Sequence, residues 1–266
     1  MQEVTDIKIV NLILGFLLMI IPIVGFLYLK VKIIKETLIA IARMIVQLLL
    51  VAFYLEYIFE WNNALINSLW VIFMVLVGTL TTIKKTGLSL KYFILPFFVS
   101  SLTSILIIDV FFLGYVIELD YVFDAQYIIP ISGMVLGNAL NHNIVGISNY
   151  FGRLKKERNL YFFLLINTNS KKYSLLPYIQ SAIKSGLNPL IATISVIGLI
   201  SLPGMMTGQI LGGTSPFVAI KYQILIMVAI FAGCSFNLMI SIIMANRFVF
   251  DPFGRFKTGV FADGKT

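Results

Sequence analysis

Apolar stretches of about 20 residues recur along the chain, and each is long enough to cross roughly 30 Å of hydrocarbon as a helix. Polar and charged residues collect in the short connections between them. The pattern predicts seven spans, near 9–29, 38–59, 64–83, 92–116, 127–148, 181–202 and 220–245. The fold class is therefore all-α, a polytopic integral membrane protein with one transmembrane domain over residues 1–266. The segment 149–180 is the longest connection. No internal repeat is evident, so the usual sequence signal of an inverted-repeat transporter is missing.

Charge gives the spans a direction. Apart from Lys8, Arg43 and Lys221, every basic residue falls in one alternating set of connections: Lys30 to Lys35, Lys84 to Lys91, Arg153 to Lys184, and Arg247 to Lys265. The opposite set holds Glu3, Asp6, Glu60, Glu118, Asp120 and Asp124. Basic loops stay in the cytoplasm, so the expected orientation has the N-terminus outside and the C-terminus inside. Composition agrees: 59% of residues are hydrophobic and 12% are charged, against about 25% charged in soluble domains. A net charge of +8 reflects topology and contact with anionic lipid, and it excludes nucleic acid as a partner. Cys234 is the single cysteine, so no internal disulfide forms. The first apolar stretch follows acidic Glu3 and Asp6 and reads as a retained span, not a signal peptide.

Catalytic signatures are missing. The chain has no G-x-x-x-x-G-K-[ST] phosphate cradle, no G-x-S-x-G elbow, and too few His and Cys for an ordinary zinc site. It is not expected to be an enzyme or to bind a cofactor of its own. Charged residues inside spans are costly and mark candidate sites. Arg43, one turn before Gln47, reads either as an interface anchor that snorkels or as a contact inside the bundle. Asp109 and Lys221 both lie toward the acidic side and are a candidate pair.

The fifth span carries Gly133 and Gly137, a G-x-x-x-G spacing that lets another helix approach. Asn138, Asn141, His142 and Asn143 follow, and such groups must face protein or a water-filled cavity. His142 reads as a structural residue, with a proton or metal site as the sharper alternative. Residues Pro203, Gly204, Met205, Met206, Gly208 and Gly212 interrupt the apolar pattern. Ser181 to Gly213 is 33 residues, about 50 Å as one helix. A break is therefore needed, and Pro203 is its natural place. The segment then forms a plain connection, or an outer gate or pathway wall that includes Lys221. The cytoplasmic run Tyr161–Ile166 is apolar among basic residues, so it covers itself on the membrane or in a partner's groove.

Three runs, Ile129–Ala139 (IPISGMVLGNA), Ser201–Gly208 (SLPGMMTG) and Ala219–Ile224 (AIKYQI), resemble the FetB/YbbM family of ABC-transporter permeases, as does the Arg43–Gln47 pair. The similarity extends from the first span to the seventh. It implies a permease homodimer with two P-loop ATPase subunits that bind ATP and Mg²⁺. It further implies bacterial iron export, with plant relatives linked to aluminium tolerance. Such permeases tend to carry an L-S-L-G-A-type coupling segment; here the corresponding residues are Leu164, Leu165, Ile166, Asn167 and onward to Lys171 and Lys172. Ala192 and Ser195 stand where some relatives carry charges. A stand-alone secondary transporter or channel, and a structural or sensor subunit, are the competing readings.

Overall fold

A computed structural model describes residues 8–257 and 259–262; Glu3, Asp6 and Lys265 lie outside the described residues. The chain is built of helices: α1 (Ile9–Tyr28), α2 (Ile34–Trp61), α3 (Ala64–Thr86), α4 (Leu90–Val116), α5 (Ala125–Lys156), α6 (Arg158–Thr168), α7 (Lys171–Val196), α8 (Gly204–Leu211) and α9 (Pro216–Val249). Five of them, α1 to α4 and α9, are long and apolar enough to cross a membrane. The other two expected spans fall on α5 and α7, of 32 and 26 residues.

Local chemistry sets the helix ends. Asn63 caps α3 by accepting from the amides of Leu65 and Ile66, and Gly87 closes it with φ +67°. Asp124 caps α5 by accepting from the Gln126 amide, and Ser215 caps α9 with Pro216 in the first turn. The last part of α4, Val110–Val116, widens into a π-helical turn, with the Ile117 amide donating to the Phe112 carbonyl.

Helix α5 is the central post. It packs against α3, α7 and α9, while α4 lies along α9. Two apolar clusters fill the bundle. One, toward the acidic end, includes Val75, Ile105, Leu113, Ile131, Val135 and Ile230. The other, toward the basic end, includes Phe93, Phe97, Ile147, Phe151, Tyr178 and Ile242. Helix α1 and nearly all of α2 stand outside this packing: Ile58 is the one buried residue described in either. Tyr54 of α2 packs at a tilt against Trp70 of α3, ring centroids 4.2 Å apart, and ties its last turns to the bundle.

The helices overrun the expected spans. Residues 149–180, expected as a connection, are almost wholly helical: α5 continues to Lys156, α6 follows, and α7 begins at Lys171. At the other end of α7 the break comes earlier than Pro203. The helix stops at Val196; Gly198 then takes φ +85°, and its amide donates to the Ser201 carbonyl. Pro203 instead sits at the N-cap of α8, where its missing N–H costs no helix bond.

The glycines that permit close approach are Gly146, Gly186 and Gly233. A Cβ on Gly186 would lie 2.7 Å from Leu238 and 3.0 Å from the His142 carbonyl; one on Gly146 would lie 2.7 Å from Leu238. Three helices, α5, α7 and α9, meet there. Gly133 faces Met74 of α3 at 3.3 Å, while Gly137, Gly204 and Gly208 have nothing within 4 Å. Gly186→Val should cost about 1–3 kcal/mol by overpacking a rigid junction. Gly208→Ala should be neutral or slightly stabilising, since open space leaves only its gain in helix propensity. Thermal unfolding of the two variants in detergent checks the contrast; equal effects would contradict the assigned junction.

Candidate functional site

Between the two apolar clusters runs a buried polar seam. Ser100, Ser101 and Ser104 come from α4, Asn143 from α5, and Asn237 and Ser241 from α9; all are buried. The Asn143 amide donates to Asn237 Oδ1 at 2.8 Å. Asn237 Nδ2 donates to Ser101 Oγ at 3.1 Å. Ser100 and Ser241 hydroxyls meet at 2.6 Å, and Ser104 donates to the Gly233 carbonyl at 2.8 Å. Asn237 is the hub that joins α4, α5 and α9, and the sequence pattern did not single it out. Its neighbours on α9 are mostly apolar, and the hints of a polar line were Ser235 and Ser241 on the same helix and Ser100, Ser101 and Ser104 on α4.

Further toward the acidic end, Ser132 donates to Asp109 Oδ2 at 2.5 Å, and Oδ1 is buried with no hydrogen-bond partner. The expected Asp109–Lys221 pair is not formed: Asp109 turns inward to α5, whereas Lys221 sits on the exposed side of α9. His142 donates through Nδ1 to the Gly186 carbonyl at 2.8 Å and pins α5 to α7. Asn138 turns back to the Met134 carbonyl of its own helix, and Asn141 is exposed. Arg43 and Gln47 are both exposed on α2, away from the bundle interior.

The interrupted segment builds the wall of a cavity. Pro203 and Met206 close one side of a space of about 770 Å³ between α7 and α9, within the range of small-molecule sites. Ile191 and Ile194 of α7 face Ile224, Met227 and Phe231 of α9 across it. Gln223 lines the same cavity, and its Oε1 is buried without a hydrogen-bond partner. Met205 lines a second, smaller cleft of about 290 Å³ beside the start of α5. Gly204, Gly208 and Gly212 remain exposed, so their stripe packs on nothing within the chain.

At the basic end, α6 lies across α5 and α7. Tyr161 anchors it, buried, with its hydroxyl donating to the Gly254 carbonyl at 3.0 Å. Burial, reinforced by nearby Asp251, pushes that phenol up to about 12. Leu164 and Leu165 turn toward the second apolar cluster, while Ile166, Asn167 and Lys172 face outward. Lys171 is drawn in over the Phe250 ring at 4.3 Å, and burial lowers its pKa. The tail after α9 folds back as a strap: the Ser89 amide donates to the Val260 carbonyl and the Ala262 amide to the Gly87 carbonyl, both at 3.0 Å. Arg153 and Glu157 pair at 2.9 Å, and this hydrogen-bonded contact holds the Glu157 carboxyl below its ordinary value.

A helical bundle with spanning-length apolar surfaces, a polar seam sealed inside and a cavity between two of its helices is a multi-pass membrane protein of the permease type. The chain belongs to the family described as an uncharacterised protein family, UPF0014, whose model matches residues 9–250. It is similar to the probable iron export permease protein FetB of Escherichia coli, 30% identical over 82% of this chain and 83% of that one. It is also similar to the membrane protein YjkA of Bacillus subtilis, 29% identical over 77% of this chain and 81% of the relative. A third relative is the protein ALUMINUM SENSITIVE 3 of Arabidopsis thaliana, 30% identical over 72% of this chain and 69% of its own length. No solved structure matches the chain.

Replacing Asn237 by Leu removes the hub and leaves the Asn143 amide and Ser101 without their partner. The expected loss is about 1–3 kcal/mol, read as a lowered unfolding midpoint in detergent. Ser195→Ala, on the exposed surface of α7, should leave the midpoint unchanged; equal losses would show that the seam does not hold the bundle.

Proposed function

We propose that this chain is the membrane-spanning permease subunit of an ABC transporter. Two copies would work with two P-loop ATPase subunits, and ATP with its Mg²⁺ would be bound and hydrolysed in those partners. The cargo is iron or another small solute, moved outward. In this reading the chain crosses the membrane seven times, with α5 and α7 as the fifth and sixth spans. Its N-terminus is outside, and the basic end lies in the cytoplasm.

The observation that carries the reading is the outward face of α6. Leu160, Phe163 and Ile166 recur at helical spacing and are exposed, Ile166 by 79%, on a platform rich in Arg and Lys. An apolar stripe on a helix held rigidly from behind by Tyr161 fits the groove of a soluble partner. The name of the FetB relative supports the transport class and the iron cargo. The sequence has no phosphate cradle of its own, which agrees with an energy source in another chain.

The wall of the pathway would then be the cavity of Pro203, Met206 and Gln223, with Asp109 and His142 deeper in the bundle. Nucleotide binding in the partner would bias the bundle between two arrangements by acting on one of them more favourably. Phe163→Asp or Ile166→Asp should cut ATP-coupled flux about tenfold or more, as loss of a buried interface anchor does, while the chain still folds. Reconstituted vesicles with the co-purified ATPase measure this. Uphill flux by the chain alone would instead establish a self-sufficient transporter or channel.

A further inference from the structure

We infer that Tyr161 and the C-terminal strap form the linkage that carries a displacement of α6 into α9 and the α3–α4 turn, and that Tyr161 is a positioning residue for coupling. The inference deepens the transport reading and rests on it for the source of the displacement. The construction of α6 supplies the first reason. It is a helix of 11 residues with a non-helical residue at each end, Glu157 (φ −103°, ψ 34°) and Asn169 (φ +45°). Tyr161 is its one buried residue. A short helix on two joints, held by one buried side chain, can tilt as a rigid piece.

What α6 is bonded to supplies the second. The Thr168 and Ser174 hydroxyls meet at 3.0 Å and tie it to α7, the next helix in the chain. Tyr161 instead reaches the strap, with its hydroxyl on the Gly254 carbonyl at 3.0 Å. A Cβ on Gly254 would lie 2.8 Å from Leu165, so the strap and α6 touch closely there. Gly254 sits in a tight turn with φ +75°. The Asp251 amide donates to the Arg255 carbonyl and the Arg255 amide to Asp251 Oδ1, both at 2.8 Å. Contacts run two ways from that turn. Phe250, directly after α9, lies 5.8 Å from the Tyr161 ring and stacks on Phe256 at 4.8 Å. Beyond Phe256, Val260 is buried, and its carbonyl accepts from Ser89 in the α3–α4 turn. Lys171, the first residue of α7, closes the joint by donating to the Asn246 carbonyl of α9 at 3.2 Å. Among the described residues no hydrogen bond joins α6 directly to α9 or to the α3–α4 turn; the strap stands between them.

Hydrogen–deuterium exchange on the full chain in lipid nanodiscs tests it. Tyr161→Phe keeps the ring and removes one buried bond. Tyr150→Phe does the same on α5, where Tyr150 donates to Asn246 Oδ1 at 2.8 Å. In the chain alone, Tyr161→Phe should speed exchange of the α6 and Asp251–Arg255 amides about fivefold, as loss of one hydrogen bond allows. Tyr150→Phe should leave α6 unchanged. In the pair with its co-purified ATPase, ATP with Mg²⁺ should alter exchange at Ser89, Ala262 and the end of α9. In Tyr161→Phe that response should stay within α6, with ATP hydrolysis retained. Gly254→Ala, which strains the turn and crowds Leu165, should give the same split. A nucleotide response that is absent from Ser89 and Ala262 in the unsubstituted pair, or that survives there in Tyr161→Phe, would overturn the inference. So would equal effects of Tyr161→Phe and Tyr150→Phe on α6. Failure of any ATPase to co-purify would count against the transport reading alone, because the first arm needs no partner.

Discussion

Hydrocarbon offers no partner to a polar group, so each amide and hydroxyl inside the bundle must find one in the protein. Asn237 answers this constraint for three helices at once. Its carbonyl accepts from Asn143 of α5 and its amide donates to Ser101 of α4. One register of α4 against α9 makes all of these bonds at once, leaving Asn143 Oδ1 as the seam's one buried acceptor without a partner among the described residues, and a shift by one turn would strand several groups together. The close contacts follow from the same register. Gly233 lies beside Ser104, and Leu238 fills the junction of Gly146 and Gly186.

The seam also separates two ends with different chemistry. Toward the basic end, Tyr161, the strap from Phe250 to Ala262, and the α3–α4 turn are bonded to one another, so α6 moves with the ends of α9 and α3. Toward the acidic end, α9 runs on without interruption and carries Gln223 into the cavity wall. A single helix of 34 residues thus connects the proposed docking platform to the proposed pathway. Helices α1 and α2 lie outside this core, with apolar surfaces that suit lipid or a second copy.

Much of this was legible in the chain and some was not. Hydropathy placed the long helices because burial in lipid leaves a one-dimensional signal. The asparagines of α5 announced a polar interior because such residues have no place in lipid. Other features depend on which neighbour a side chain meets. Asn237 and Gln223 lie on the same helix, and nothing along the sequence says that Asn237 is bonded to two other helices while the Oε1 of Gln223 has no partner. Gly204, Gly208 and Gly212 have the spacing of a packing stripe, yet Gly204 and Gly208 face open space and Gly212 meets only its own helix's carbonyls, while Gly146 and Gly186, on different helices, make the close approach. Pro203 looked like the point of rupture, but Gly198 can turn the chain with a positive φ and so ends α7 first. Leu164 and Leu165 looked outward by composition; the strap behind α6 turns them in.

The central claim is that the platform of α6 and the turn beyond α7 lie on opposite sides of the membrane, with the seam between them. Single cysteines at Leu199 and Ile166, in a chain with Cys234→Ala, report this through a membrane-impermeant maleimide applied to intact cells. The expected result is labelling at position 199 from outside, and at position 166 only after the cells are opened. Labelling of position 166 in intact cells, or protection of position 199 until lysis, would contradict the proposed topology and the partner docking that depends on it.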